Sequence, residues 1–98
     1  MIGTFRDRYL ERFYREDVLH RRIPAALCNS LYRRLQVLDA VSRAQDLYSP
    51  PSNRCEKLAG HLQGWYSIRV NNQWRLIFQW DEASAQVLNV YLDNHSYR

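Results

Sequence analysis

The sequence predicts one α+β domain over residues 1–98, with N-terminal helices packed on one face of a small antiparallel β-sheet. Three observations support this fold class. Leucines recur every three or four residues in the first half, which is typical of a helix with one buried face. Aromatic and β-branched residues alternate with polar residues in the second half, which is typical of strands. The proline-containing segment 48–52 separates the two halves.

The first half predicts a short opening strand over residues 1–5, followed by two helices. The first helix covers residues 7–16, and its apolar side chains at helical spacing are Tyr9, Leu10, Phe13 and Tyr14. The second helix runs from Pro24 to about residue 41, because a first helical position leaves the N–H that proline lacks unpaired in any case. The buried stripe of the second helix is formed by Leu27, Leu31, Leu35 and Leu38.

A short helical turn and four strands are expected next. Ser42 and Gln45 have the spacing of a capping box, which predicts a helical turn before the prolines. Gly60 and Gly64 mark a turn after the first of the strands. The predicted strands cover residues 53–58, 65–71, 73–80 and 85–93.

The predicted strands 65–71 and 73–80 form a hairpin, and the length of its loop determines which of their side chains share a face of the sheet. A two-residue loop would place the apolar residues of one strand beside the charged residues of the other. A loop with an odd number of residues, either three or one with a bulge, pairs Val70 with Trp74. One face is then apolar throughout: Tyr66, Ile68, Val70, Trp74, Leu76, Phe78 and Trp80. Burial therefore favours the odd loop, so Arg69 and Arg75 emerge together on the opposite face.

The last strand brings further polar residues to the face that carries the two arginines. Leu88, Val90 and Leu92 are expected to face the core. The alternate residues face the other way, and these are Asn89, Tyr91 and Asp93, with His95 next if the strand extends. The sequence therefore predicts a convergence of two cations, a carboxylate and an imidazole: Arg69, Arg75, Asp93 and His95.

This combination suits phosphoryl chemistry on RNA, in which a ribose 2′-OH attacks the adjacent phosphorus and the 5′-oxygen leaves. Arg69 and Arg75 would hold the phosphate. His95 would act as acid or base, since the ordinary pKa of histidine lies near neutrality, and Asp93 would orient it. This chemistry requires no metal. The alternative is structural: a solvated tail at His95, and arginines that form only the polar face of a half-exposed sheet.

Composition limits the classes of protein and partner. The formal charge is +4, and thirteen of the fourteen basic residues are arginine. Residues 1–43 carry nine basic and five acidic side chains, which fits either an RNA-facing surface or a solvated basic face. No apolar run approaches the ~20 residues of a membrane span, and residues 1–5 lack signal-peptide features, so we expect a cytoplasmic protein. Cys28 and Cys55 have no metal-ligand spacing, and no metal or cofactor is expected.

Several runs of residues together point to a known family. The most specific are Tyr-Ser-Ile-Arg-Val-Asn at residues 66–71 and Gln-Trp-Arg-Leu at residues 73–76. Further matching runs lie at residues 23–24, 33–35, 38–40, 50–54, 56–60 and 92–95. In these runs the sequence resembles the HigB toxins, the plasmid maintenance system killer branch of the RelE/ParE toxin superfamily. The resemblance covers nearly the whole chain.

The resemblance implies a RelE-like fold and a toxin of a type II toxin–antitoxin system that cleaves mRNA on the translating ribosome. It implies three partners, a HigA-like helix-turn-helix antitoxin, the ribosome and mRNA, with no small-molecule cofactor. The functional residues of the family carry over to Arg54, Arg69, Arg75, Asp93 and His95. Further candidate contacts with the substrate are Lys57, His61, Tyr91 and Tyr97.

Three departures from the family pattern leave alternatives open. Ala59 stands where the family has lysine, Asn94 where it has tyrosine, and Glu56 where its members often have a catalytic histidine. The first alternative is an attenuated toxin that acts as a binding partner and autoregulatory co-repressor. The second is a gyrase-inhibiting toxin of the ParE side of the superfamily, which needs no terminal Asp-x-His pair.

Overall fold

The computed structural model describes residues 1–94, and within them it has two α-helices and a four-stranded antiparallel sheet. The helices are α1 (Arg8–Glu16) and α2 (Cys28–Asp39). The strands are β1 (Glu56–Lys57), β2 (Trp65–Arg69), β3 (Arg75–Asp81) and β4 (Gln86–Asp93), hydrogen-bonded in that order. This confirms the α+β class and its division into a helical and a strand half. Within these residues, neither helix is long and apolar enough to cross a membrane.

Both helices lie where the apolar spacing predicts them. α1 begins directly after Asp7 and buries Leu10 and Phe13. α2 is preceded by a 3₁₀ turn, Ala25–Leu27, that follows Pro24. The four leucines of the predicted stripe are at most 3% exposed: Leu27, Leu31, Leu35 and Leu38. They join the apolar residues of β2, β3 and β4 in one core, so α1 and α2 cover one face of the sheet.

The helical turn predicted before the prolines is a 3₁₀ turn, Ala44–Tyr48, and the predicted cap is wrong. The capping residue is Asp46, whose carboxylate accepts the backbone N–H groups of Ser42 and Arg43, both at 3.1 Å. An aspartate four residues after Ser42 reaches two unpaired N–H groups, which the Ser42–Gln45 pair does not do. These hydrogen bonds, first that from Ser42, hold the pKa of Asp46 below its usual value.

The N-terminal segment forms an additional edge of the sheet. Residues 2–6 run parallel to β4, with Ile2 opposite Val87 and Phe5 opposite Val90. The Arg6 N–H donates to the Val90 carbonyl at 2.9 Å, in the same ladder. The predicted opening strand is therefore confirmed as a pair of parallel bridges, and it covers the edge of β4 that would otherwise be unpaired.

The hairpin has the odd loop that burial favours. The Val70 N–H donates to the Trp74 carbonyl at 2.9 Å, which leaves three loop residues, 71–73. Ile68 pairs with Leu76, and Arg69 pairs with Arg75. Paired residues in an antiparallel sheet share a face, so the apolar pairs lie under the helices and the two arginines emerge on the opposite side.

One residue of β4 is on the wrong face in the sequence prediction. Leu88 is partly exposed, whereas Val87 and Val90 are fully buried. The register between β3 and β4 shifts beyond Ile77, so Asn89 is an extra residue, and it has a φ of 55°. Such a bulge changes the phase of the strand. The core therefore receives Val87, Val90 and Leu92 instead of the predicted Leu88, Val90 and Leu92.

Candidate functional site

The face of the sheet that points away from α1 and α2 is called the open face here. It carries alternate residues of three strands: Trp65, Ser67, Arg69, Arg75, Ile77, Gln79, Tyr91 and Asp93. Arg69 lies opposite Arg75, and Arg75 lies opposite Asp93, so these three residues form one row across neighbouring strands. Adjacent strands are about 4.8 Å apart, so the three side chains start as immediate neighbours.

The arginine–aspartate row, Arg69–Arg75–Asp93, is the convergence that the hairpin register predicts. The structure brings these three residues together on one face. The fourth predicted member, His95, lies outside the described residues, as does Tyr97. Asp93 is partly buried and takes part in further interactions.

The hairpin loop holds both guanidinium groups in place. Arg75 Nη1 donates to the carbonyls of Asn71 at 2.7 Å and Trp74 at 3.2 Å, and Arg69 donates to the side-chain oxygen of Asn72. The Asn71 side chain in turn accepts two backbone N–H groups of the loop, both at 2.8 Å. A guanidinium has five N–H donors, so each arginine retains donors for a ligand.

The charge balance of the row favours an anion, because its two guanidinium groups outnumber its one carboxylate, that of Asp93. None of the ion pairs formed within residues 1–94 involves Arg69 or Arg75; they are Arg6–Asp7, Arg12–Glu16, Arg15–Glu11 and Arg43–Asp46. Like charges directly opposite each other on paired strands repel. A bound phosphate would relieve this repulsion and accept forked hydrogen bonds from both groups.

A second row of side chains lies beside the first. Tyr91 pairs with Ile77, and both are buried although they belong to the open face. The Arg6 guanidinium lies over the Tyr91 ring, with its Cζ atom 3.6 Å from the ring centroid. Trp65 meets the same ring edge-on at 5.8 Å. Tyr91 is therefore fixed within the face, and Arg6 covers it.

Arg6 is the residue of this face that sequence reasoning missed. Its position depends on parallel pairing between the first residues and β4, more than eighty residues later. The opening strand was predicted, but no local signal gave its partner or its register. The hydrogen bond to Asp7 raises the pKa of Arg6 above its usual value, so the group stays charged.

The structure does not bring the other predicted contacts into the arginine–aspartate row. Lys57 pairs with Tyr66, so it lies on the helix side of the sheet, away from Arg69 and Arg75. Arg54 precedes β1, and His61 lies in a 3₁₀ turn, Gly60–Leu62; both are exposed. Within residues 1–94 neither forms a hydrogen bond or ion pair with the row.

Cys55 is a candidate reactive thiol, and the acidic residues within 1–94 are candidate metal ligands. Burial raises the pKa of the Cys55 thiol to about 11, so it is protonated at neutral pH and is a poor nucleophile. In the part of the chain that the structure describes, no three His, Cys, Asp or Glu side chains are grouped as metal ligands.

Comparison with known proteins shows a match to one toxin family over nearly the whole chain. A family model described as the RelE-like toxin of type II toxin–antitoxin system HigB matches residues 3–95. Toxin HigB-1 of Vibrio cholerae serotype O1 is 54% identical over 97 residues, which covers 99% of this chain and 100% of that protein. Endoribonuclease HigB of Proteus vulgaris is 30% identical over 95 residues, covering 97% of this chain and 100% of its own.

A solved structure supports the fold independently. A chain of the YoeB–YefM complex from Staphylococcus aureus superposes with a TM-score of 0.56, at 17% identity and over 90% of each chain. At this identity the likeness concerns the fold alone.

Proposed function

Because the chain belongs to the RelE-like HigB toxins of type II toxin–antitoxin systems, we propose that it is an endoribonuclease that cleaves mRNA on the translating ribosome. The cleavage is a metal-free transesterification in which the deprotonated 2′-oxygen attacks the adjacent phosphorus, the bond from phosphorus to the 5′-oxygen breaks, and the leaving 5′-oxygen takes up a proton. The relative from Proteus vulgaris is named an endoribonuclease, which favours this activity over the gyrase inhibition of ParE-like toxins.

The observation that carries the proposal is the arginine–aspartate row. Arg69 and Arg75 emerge side by side from paired positions, and their free N–H donors match the oxygens of one phosphodiester. Negative charge develops on the non-bridging oxygens as the 2′-oxygen attacks. Fixed guanidinium donors stabilise that charge more than they stabilise the ground state, which lowers the barrier.

Proton transfer is assigned to His95, with Asp93 as the positioning carboxylate. The ordinary pKa of histidine, about 6.5, suits a group that takes a proton from the 2′-OH or gives one to the 5′-oxygen. A carboxylate close to an imidazole orients it and stabilises its charged form, and this is the role proposed for Asp93. Asp93 stands directly beside Arg75 in the sheet, two residues before His95.

The remaining substrate contacts and the partners belong to the same proposal. Arg54, Lys57, His61 and Tyr97 are proposed to contact RNA or ribosome outside the row, and Tyr91 supports the site from within the sheet. Membership of a toxin–antitoxin family implies an antitoxin, and the YoeB structure is itself a complex with YefM. We propose a HigA-like helix-turn-helix antitoxin and a cytoplasmic location, where ribosomes translate mRNA.

Induction of the toxin in cells with and without its antitoxin tests the proposal, with mRNA 5′ ends mapped after arrest. We expect new ends within translated regions and growth arrest, both lost in Arg75→Ala and His95→Ala. Arg33→Ala is the matched control, because this exposed arginine lies on α2 away from the open face. It should cleave like the wild type.

The outcomes separate the alternatives. Arrest that persists in His95→Ala, with intact mRNA and broken DNA, would support gyrase inhibition instead. Wild-type protein that causes neither arrest nor new ends would support the attenuated toxin, particularly if Ala59→Lys together with Asn94→Tyr restores both.

A further inference from the structure

We propose that Arg6 is the base-stacking residue of this site: its guanidinium, held flat on Tyr91, presents its outer face to an mRNA base next to the scissile phosphate. This inference rests on the proposed function, and it adds a nucleobase-binding position next to the arginine–aspartate row. It depends on four features of the structure.

The backbone places Arg6 on the open face. Phe5 lies opposite Val90 and packs against the core under the helices. Side chains alternate along an extended segment, so the next residue, Arg6, points to the other side of the sheet. Its N–H donates to the Val90 carbonyl, which ties this position to β4.

The guanidinium is fixed on two sides. Its Nε and Nη2 atoms donate to the two carboxylate oxygens of Asp7, at 3.1 and 2.9 Å. Its Cζ lies 3.6 Å from the centroid of Tyr91, which is the contact separation of two flat groups lying face to face. The other two arginine–ring contacts within residues 1–94 are looser, at 5.5 and 5.9 Å.

One face of Arg6 remains accessible. Its side chain is 51% exposed, while Tyr91 beneath it is only 8% exposed. A base that approaches this part of the open face therefore meets the guanidinium plane and not the tyrosine ring. Unstacked RNA bases pack on guanidinium planes as they do on aromatic rings.

Arg6 is also close to the arginine–aspartate row. Tyr91 and Asp93 are two residues apart on the same face of β4, a rise of about 7 Å. Asp93 lies beside Arg75. A nucleotide whose phosphate is held by Arg75 thus has the Arg6 plane within reach of a neighbouring base.

The pairing with Asp7 indicates that the ligand of Arg6 is a nucleobase and not a second phosphate. The Asp7 carboxylate occupies two of the Arg6 donors and offsets its charge. By contrast, none of the ion pairs formed within residues 1–94 includes Arg69 or Arg75, and the single carboxylate of their row, Asp93, faces two guanidinium groups. What Arg6 still offers to a ligand is mainly its flat outer surface, which suits stacking.

The test uses ribosomes programmed with an mRNA that carries 2-aminopurine beside the cleavage site and a 2′-O-methyl group that blocks cleavage. Stacking quenches the fluorescence of 2-aminopurine. We expect quenching by the wild type and its loss in both Arg6→Ala and Arg6→Lys, since lysine keeps the charge but has no plane. Arg8→Ala, an exposed neighbour at the start of α1, is the control.

Cleavage of unmodified and abasic mRNA completes the test. Arg6→Ala and Arg6→Lys should lower kcat/KM about tenfold on normal mRNA, because the stacking of one base makes a modest contribution to binding. On mRNA abasic at the same position, wild type and variants should be equally slow. Thermal unfolding of each variant checks that the fold is retained.

Each result decides the inference. Wild-type quenching that survives in Arg6→Lys or Arg6→Ala would overturn it, as would a separate and additive loss from the abasic position. Quenching that depends on Arg6, without cleavage of unmodified mRNA, would support the inference while the proposed activity fails. Cleavage that ignores both Arg6 variants would remove the inference and leave the activity. A wild type that neither quenches nor cleaves would overturn both.

Discussion

On the helix-covered face of the sheet, Ile68, Leu76 and Phe78 are completely buried, whereas their sequence neighbours Arg69 and Arg75 on the open face remain partly exposed. The same strands thus supply the core and the candidate site, one residue out of phase. The difference between the faces is set by a single structural variable, the register of the hairpin. A slip of one residue would place charge in the core and apolar side chains in the site.

The open face is nevertheless not a simple polar surface. Ile77, Ser67 and Tyr91 are at most 8% exposed there, beneath larger neighbours such as Trp65 and Arg6. This buried row gives the arginine–aspartate row a packed support. The comparison therefore predicts that substitutions on the helix side change stability, whereas substitutions in the row change activity.

The largest expected effect is on the helix-covered face. Phe78→Ala removes a fully buried ring that stacks on Tyr66, and it should lower the free energy of unfolding by about 3–5 kcal/mol. Urea denaturation followed by circular dichroism measures this. Phe78→Leu, which keeps most of the volume, should lose much less and stay folded. A small loss in Phe78→Ala would mean that this face does not hold the core.

At Arg75 we expect the reverse, a large loss of activity with little change in stability. Arg75→Ala should lower cleavage on programmed ribosomes by about 10²–10³-fold, the usual effect of removing a donor to a developing oxyanion. Its stability should change by less than about 1 kcal/mol, because the lost hydrogen bonds are largely exposed. Arg75→Lys should recover only part of the activity, since lysine supplies a charge without a fork. Full activity in Arg75→Ala would contradict the role of the row.

Much of this two-faced sheet could be predicted from the sequence because its signal is local. The apolar residues on either side of the hairpin are consistent with one register only, and Val70 and Trp74 meet as that register requires. Arg69 and Arg75 each lie next to an apolar residue of this register, so the alternation of side chains along a strand places both arginines on the opposite face. The leucine stripe of α2 is equally local, since 3.6 residues per turn fix which side chains share a face.

The errors arise where the structure depends on distant or irregular backbone. Leu88 was assigned to the core because the bulge at Asn89 leaves no apolar signature in the sequence. Lys57 lies on the helix side because it pairs with Tyr66. The sequence did not reveal this, since β1 has only two residues, too few for alternation to show which face each side chain takes. Arg6 joins the open face only through pairing with β4, and nothing near Arg6 encodes that partner.

A smaller effect is expected at the loop that joins the two arginines. Asn71→Ala removes the acceptor of two backbone N–H groups and should cost about 1–2 kcal/mol of stability. It should also lower cleavage, because the same loop positions Arg75. Gln73→Ala, at an exposed position of the same loop, is the control and should change neither quantity. Equal effects in the two variants would show that the Asn71 side chain does not hold the loop.

The smallest effect is expected at Asp39, which connects the N-terminal edge segment, residues 2–6, to the two helices. Its carboxylate accepts the Ile2 N–H at 2.9 Å and the Tyr14 hydroxyl at 2.8 Å, so it ties the edge segment that carries Arg6 to both helices. Partial burial acts to raise the pKa of Asp39, but these hydrogen bonds outweigh it and lower the pKa below the usual value. The stability that Asp39 contributes is therefore complete above the unfolded-state pKa, about 3.9, and is lost as pH falls through the lower folded-state pKa. Denaturation of wild type and Asp39→Asn should differ at neutral pH, and the difference should shrink below about pH 4. A difference that stays constant down to about pH 2 would mean that the charge of Asp39 does not stabilise this connection, and that neutral hydrogen bonds hold the edge segment instead.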